Sequence, residues 1–375
     1  MMTNPAEILL RLHERVTRNL YAAAVKENDI LARIDYVCRC LSNRAGVRLL
    51  MACMVAKLDN PLVDPRQPYT EIGGDKCFSG RTIDEQIITS FITAHNLPCN
   101  STTAFLTPAL RNINRPLTSG VPLVGRPPQM YGDTVKLLED VAEGRVSAED
   151  VLADAVRILV LVREEKAARM SALLADIARS SGALPLSSEM IVTLIEQHLA
   201  CKNASRLPVL VVAAAYQTAA NQLGAYALPL QSHNAADEQT GAMGDVEICL
   251  ANEERVVTIY EMKMKEVTIG DLDRALQKIA SKAPPIDNYV FITTEVIDEK
   301  VQDYARTLYE KLAGTEVVVL DCIGFVRHFL HLFHRARLAF LNAYQALLLA
   351  EPDSSVRQPL KEAFLSLRQA AESDE

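Results

Sequence analysis

Gly244-Asp245-Val246-Glu247-Ile248-Cys249-Leu250 and, after the turn residues Asn252-Glu253-Glu254, Val256-Val257-Thr258-Ile259-Tyr260-Glu261-Met262-Lys263-Met264 decide how this chain folds. Both runs are rich in β-branched and apolar residues, and a short polar connection between two such runs reads as a hairpin. Strands are therefore predicted over Val246 to Leu250 and Val256 to Met264. Side chains alternate along a strand, so Val257, Ile259, Glu261 and Lys263 share one face. If the hairpin register permits, Asp245, at the head of the first strand, comes within metal-sharing distance of Glu261. Glu261 and Lys263 interrupt an otherwise apolar strand, where a charge needs a reason.

Outward from the hairpin, strands and helices alternate. Residues 208–223 form a Val- and Ala-rich helix stopped by Gly224, and 270–282 form a helix closed by Pro284-Pro285. Tyr289 to Thr294 is a third strand, Asp298 to Leu312 a helix ending at Gly314, and Glu316 to Leu320 a fourth strand. The order is α-β-β-β-α-β, with a helix inserted before the third strand. The closing β–α–β crossover implies two parallel strands in one sheet. Helices over 322–349 and 354–372 finish the chain.

The first half is helical. Asn4-Pro5-Ala6-Glu7 caps a first helix, and others are predicted over 29–41, 43–58, 148–180, as one long helix or two, and 188–200. From Asp59 to Gly132 the chain is rich in Pro, Gly, Asn and Thr, with one short helix opened by the capping-box pattern Thr82-Ile83-Asp84-Glu85. Tyr69, Ile72, Phe78, Phe105 and Leu106 are predicted to anchor this long loop region. The predicted class is mixed α/β, with two domains: 1–200, mainly helical and loop-rich, and 201–375, the α/β part with C-terminal helices.

Composition narrows the function classes. A hydrophobic share of 49% supplies a core, and a net charge of −8 excludes a wholly basic DNA-coating protein but not a local basic surface. Eight scattered cysteines contain no CxxC pair, which argues against a disulfide framework or a zinc knuckle. The longest apolar run, Leu207 to Tyr216, falls short of the ~18 residues a bilayer span needs. With no signal peptide at the start, a soluble cytoplasmic protein without a membrane partner is expected.

Two carboxylates on a rigid sheet suit a hard divalent cation such as Mg²⁺. A neighbouring lysine can orient or deprotonate a water and offset charge on a phosphate. That set performs metal-assisted phosphodiester hydrolysis. Asp245, then Glu261-Met262-Lys263, in this strand order, resembles the PD-(D/E)XK nuclease superfamily over roughly 208–320. The resemblance implies a restriction-endonuclease-like αβββαβ core, Asp245 and Glu261 as metal ligands, the Met262 backbone carbonyl as a further ligand, and Lys263 as the catalytic lysine. Glu247, on the same face as Asp245, is an additional candidate ligand, with a surface charge as its other reading. The sequence has Met243-Gly244 where the superfamily's name places a Pro before the aspartate.

Three earlier segments narrow the resemblance: Pro68-Tyr69-Thr70-Glu71-Ile72-Gly73-Gly74, Phe78-Ser79-Gly80-Arg81, and the stretch from Asn96-Leu97-Pro98-Cys99 to Leu110-Arg111-Asn112. They are similar to the SacI-type group of type II restriction endonucleases. That implies double-stranded DNA, a short palindromic target, a homodimer, and a cognate DNA methyltransferase as functional partner. The charge pattern leans the same way. From Gln86 to Gly132 there is no Asp or Glu, yet His95, Arg111, Arg115 and Arg126 are present. Arg66, Lys76, Arg81, Asn100, Thr102, Thr103, Arg111 and Asn112 are the candidates for DNA contact. The other reading is an acid-poor loop packed on the helices, its Asn and Thr serving turns.

Rival functions are a PD-(D/E)XK nuclease of repair or modified-DNA restriction, and a non-catalytic DNA-binding protein on a nuclease fold. Intact Asp245, Glu261 and Lys263 argue against the second. His328, His331 and His334 recur every three residues beside Arg327, Arg335 and Arg337, and read as a basic helix surface. His233-Asn234 and Asp237-Glu238, just before Asp245, read as a polar loop.

Overall fold

A computed structural model describes residues 4–40, 42–100, 103–179, 185–230, 243–253, 255–280 and 286–373. The chain divides into two compact units, Met1–Arg169 and Met170–Glu375. The boundary falls inside one long helix, and the predicted helix near 188–200 belongs to the second unit.

Unit 1 is helical. It contains α1 (Pro5–Arg18), α2 (Asn28–Arg39), α3 (Ala45–Asp59), α4 (Gly80–Ile83), α5 (Thr89–Ala94), α6 (Pro128–Ala142) and most of α7 (Ala148–Arg179). Asn4 caps α1 by accepting from the Ala6 N–H at 3.0 Å, and a proline follows in its first turn. Every residue of α3 from Ala45 to Ala56 is buried, so this helix is the axis of the unit's core. Between α4 and α5 the residues Asp84–Ile88 are wound as a π-helix. The helical stretch starts earlier than its sequence signature: Ser79, not Thr82, is the cap, accepting from the Thr82 N–H at 3.3 Å.

The long loops of unit 1 are anchored as expected at Tyr69 and Phe105, which are buried and meet edge-on with ring centroids 5.8 Å apart. The Tyr69 hydroxyl donates to the Leu110 carbonyl at 3.0 Å. Leu106 departs from the expectation. It is 50% exposed, because Ala104 and Phe105 take the two inward positions of a short 3₁₀ turn.

Unit 2 contains α8 (Ser188–Leu199), α9 (Leu207–Leu223) and a five-stranded sheet with C-terminal helices. The strands are β1 (Ala225–Ala227), β2 (Val246–Leu250), β3 (Val256–Lys263), β4 (Asn288–Thr293) and β5 (Glu316–Asp321), in spatial order 1-2-3-4-5. β1, β2 and β3 are an antiparallel meander, while β3, β4 and β5 run parallel. α10 (Ile269–Ala280) joins β3 to β4 and α11 (Glu299–Lys311) joins β4 to β5. The chain then ends in α12 (Cys322–Leu332), α13 (Arg337–Ala350) and α14 (Gln358–Ser373).

The αβββαβ order is present, but its members shift by one. β1 is the first strand, the quoted hairpin supplies the second and third, and β4 is the fourth. The chain therefore makes two parallel crossovers where the sequence predicted one. Gly224 sits at φ +60°, a left-handed conformation that turns α9 directly into β1. The two sheet faces are covered separately. Ile259, Tyr289, Phe291, Val317 and Val319 pack with Leu272 and Ala275 of α10 and Val301 and Leu308 of α11. Val246, Ile248, Tyr260, Val290 and Ile292 pack with apolar residues of α9, α12 and α13. Among the described residues no helix is long and apolar enough to cross a membrane. All eight cysteines are free thiols.

Candidate active site

β2 and β3 pair with Val246 opposite Tyr260 and Glu247 opposite Ile259. The ladder ends at that first pair, and Asp245 stands in the bend just before β2, its N–H donating to the Tyr260 carbonyl at 2.8 Å. Asp245 is thereby held within electrostatic reach of Glu261. Gly244 is required here: a Cβ would stand 2.7 Å from the Tyr260 carbonyl oxygen. The residue before Asp245 is small because β3 passes so close.

Lys263 lies on the same face of β3 as Glu261, its Nζ 2.5 Å from Glu261 Oε1 and 3.6 Å from Asp271 Oδ1. The Lys263 and Glu261 side chains are 20% and 17% exposed, so the pair is shielded but reachable. The Met262 N–H donates to Asp245 Oδ2 at 2.7 Å, which ties the carboxylate to the peptide between Glu261 and Lys263. Burial pushes the Asp245 carboxyl above its ordinary range and the nearby Glu261 charge adds to this, while the Met262 N–H, Arg206 and Lys263 pull the other way.

Three residues of the cluster carry no signal in the hairpin. Tyr289 on β4 is fully buried and its hydroxyl donates to Glu261 Oε2. Lys278 Nζ on α10 is 3.7 Å from the same oxygen. Asp271, at the start of α10, accepts from the Thr268 N–H at 2.9 Å and its hydroxyl at 2.6 Å, and pairs with Arg274 at 2.6 Å. Burial raises the Asp271 carboxyl, but the Thr268 donors, Arg274 and Lys263 outweigh it and hold it well below the usual range. The pattern Thr268-x-x-Asp271 is a capping signature that could have pointed to this residue. Glu247 accepts from the Met243 N–H at 2.7 Å.

Among the described residues no three His, Cys, Asp or Glu side chains converge as a metal cluster. The candidate donor set is the Asp245 and Glu261 carboxylates, with water or substrate oxygens left to complete a shell. That suits Mg²⁺, which takes one or two carboxylates and keeps several waters.

In unit 1, Arg81, Arg111 and Asn112 line one cavity of about 460 Å³, although they lie far apart in sequence. Arg81 also pairs with Glu85 at 2.8 Å. Lys76 is exposed, and so is the Asn100 side chain, while the Asn100 carbonyl accepts from Arg48. Arg66 is engaged by Asp64, at 2.8 Å. Thr103 does not face outwards. It is 7% exposed and its hydroxyl is committed to the buried carboxylate of Asp84. Thr102, His233-Asn234 and Asp237-Glu238 lie outside the described residues. The histidine row divides: His328 and His331 sit on α12, His334 in the following 3₁₀ turn. Glu189 of α8 holds His331 at 2.8 Å and Arg327 at 3.2 Å.

Residues 186–295 match the SacI restriction endonuclease C-terminal domain. The matched stretch runs from α8 to the end of β4 and holds Asp245, Glu261 and Lys263. The chain therefore resembles SacI-type restriction endonucleases, and the match lies wholly in unit 2 whereas the segments that first suggested this group lie in unit 1. The match supports a restriction endonuclease, a nuclease whose substrate is DNA. No curated protein matches the chain.

Proposed function

We propose that this protein is a type II restriction endonuclease: a Mg²⁺-dependent enzyme that hydrolyses phosphodiester bonds of double-stranded DNA at a specific short sequence. The observation that carries the reading is the gathering of Asp245, Glu261 and Lys263 at one end of the β2–β3 hairpin, Asp245 tied to the Met262 N–H and Lys263 paired with Glu261. Unit 2 cuts and unit 1 reads, through Arg81, Arg111 and Asn112. A palindromic target goes with a two-fold homodimer. A DNA methyltransferase encoded beside it would protect the host's own copies of the target.

Asp245, Glu261 and the Met262 carbonyl would hold the cation. When bound, Mg²⁺ polarises the scissile phosphate and lowers the pKa of a bound water. The chain's own residues do the rest. Asp245 is fixed by the Met262 N–H, and Glu261 by the Tyr289 hydroxyl. Lys263 orients the attacking water and offsets the charge gathering on the phosphate. Asp271, 3.6 Å from Lys263 Nζ, keeps the ammonium in place.

The test uses supercoiled plasmid. Mg²⁺ should give discrete fragments, and EDTA none. Ca²⁺ is larger and coordinates more loosely. It should support a mobility shift on the cut sequence without cleavage. Full cleavage in EDTA, or efficient cleavage in Ca²⁺ alone, contradicts the proposal.

A further inference from the structure

The cavity of unit 1 has a lining that phosphate contact alone does not explain. Its volume of about 460 Å³ falls in the ~300–1,000 Å³ range of small-molecule sites. Arg81 on its wall suits a phosphate. Glu71, also on the wall, does not, since a carboxylate in a groove that held only phosphates would repel them. A carboxylate only accepts hydrogen bonds, so its complement is an N–H donor, such as the amino groups of cytosine, adenine and guanine or the N3–H of thymine, which an extruded base exposes. Asn112 both donates and accepts, and Arg111 donates to paired acceptors. Phe105 and Tyr69 add aromatic surface, which suits the face of a base.

The rim carries the second observation. Leu106 lines the same cavity and is 50% exposed. An exposed leucine among basic and amide side chains has the chemistry of the apolar wedges that part stacked base pairs. We propose that this cavity receives one nucleotide extruded from the DNA duplex, with Leu106 filling the gap left in the stack. The inference rests on the endonuclease reading and adds how unit 1 reads its target. Arg81 holds the phosphate, Arg111, Asn112 and Glu71 address the base edge, and Leu106 keeps the opened stack from closing.

Extrusion costs unstacking and unpairing, and costs least for a base already unpaired. The probes are therefore five duplexes of one sequence: one fully paired, and four with a single central A, C, G or T opposite an abasic site. Binding is measured in Ca²⁺ with the full-length protein. At least one of the four unpaired duplexes should bind ~10-fold or more tighter than the paired one. Leu106→Ala and Asn112→Ala alter exposed side chains, and each should cut the preference below ~3-fold. Equal binding of all five duplexes overturns the inference. So does a full preference surviving in both variants. If wild-type protein still cuts plasmid in Mg²⁺ under those outcomes, the endonuclease reading stands. If it neither binds nor cuts any DNA, both fall.

Discussion

Each unit carries a cluster of charged side chains around a carboxylate, and the two clusters are built differently. In unit 1, Arg48 and Asp84 are both fully buried and 2.7 Å apart. Arg48 also donates to the Asp84 and Asn100 carbonyls and the Thr89 hydroxyl, and Asp84 accepts from the Thr103 hydroxyl and the Ala104 N–H. Opposite charge and fixed donors answer each ionised group, and no side is left for a ligand. In unit 2, the Glu261 charge reaches Asp245, and Lys263 and Lys278, both part-exposed, stand beside Glu261. Two carboxylates at a reachable place gain further from an added cation. The first cluster serves the fold, and the second is the one proposed for the chemistry. The sequence looks similar at both, a few charges among apolar residues. What separates them is how completely the surroundings satisfy each ion.

Removing one partner of a closed buried pair leaves an uncompensated charge, at a typical cost of about 3–5 kcal/mol. Asp84→Ala should therefore lower the melting temperature by roughly 10 °C in calorimetry. An unchanged melting temperature would show that the unit 1 cluster is not the structural centre described.

A third closed polar group sharpens the comparison. His198 is buried, with Nε2 2.9 Å from the Leu360 carbonyl and Nδ1 2.9 Å from the Tyr344 hydroxyl. A carbonyl only accepts, so Nε2 carries the proton and Nδ1 accepts from Tyr344. Burial pulls the His198 pKa from 6.5 down to about 4, with the Leu360 carbonyl opposing weakly. Between these values the unfolded chain binds the proton and the folded chain does not. Stability should be flat above about pH 6.5 and fall towards pH 4, by a loss on the order of 3 kcal/mol from this group. His198→Gln should remove that part of the slope in denaturant titrations across the range. A slope that survives the substitution assigns the acid sensitivity elsewhere.

Smaller effects are expected at the open face of unit 1. A lost base contact costs ~1–3 kcal/mol on the true site and spares other sequences. Arg111→Ala should show that signature in binding isotherms on cognate and scrambled duplexes. Arg81→Ala should instead weaken binding to both and lower the salt slope by about one. Wild-type affinity and slope in both folded variants would make this face structural as well.

The site-bearing hairpin was legible because strand alternation and register are local. Glu261 and Lys263 share a face by period alone, and a short turn brings Asp245 across. β1 was not legible: Ala-Tyr-Ala is too short for alternation, and alanine is depleted in strands. Tyr289 and Asp271 were missed for another reason. They reach Glu261 and Lys263 only once the β3–α10–β4 crossover stacks α10 and β4 against β3, and nothing in their local spacing says so. Asp84 was legible as part of a capping pattern and is instead the partner of Arg48, a pairing 36 residues long in sequence. Leu106 reads as an anchor because it is apolar, and faces out because the turn's two inward positions were already taken.

The account stands most directly on Glu261→Ala, measured for plasmid cleavage in Mg²⁺ alongside its circular dichroism and melting curve. The open cluster predicts a wild-type fold and a cleavage rate lower by at least ~10²-fold, the size expected when a positioned catalytic group is removed. A folded Glu261→Ala protein that cuts at the wild-type rate would contradict it.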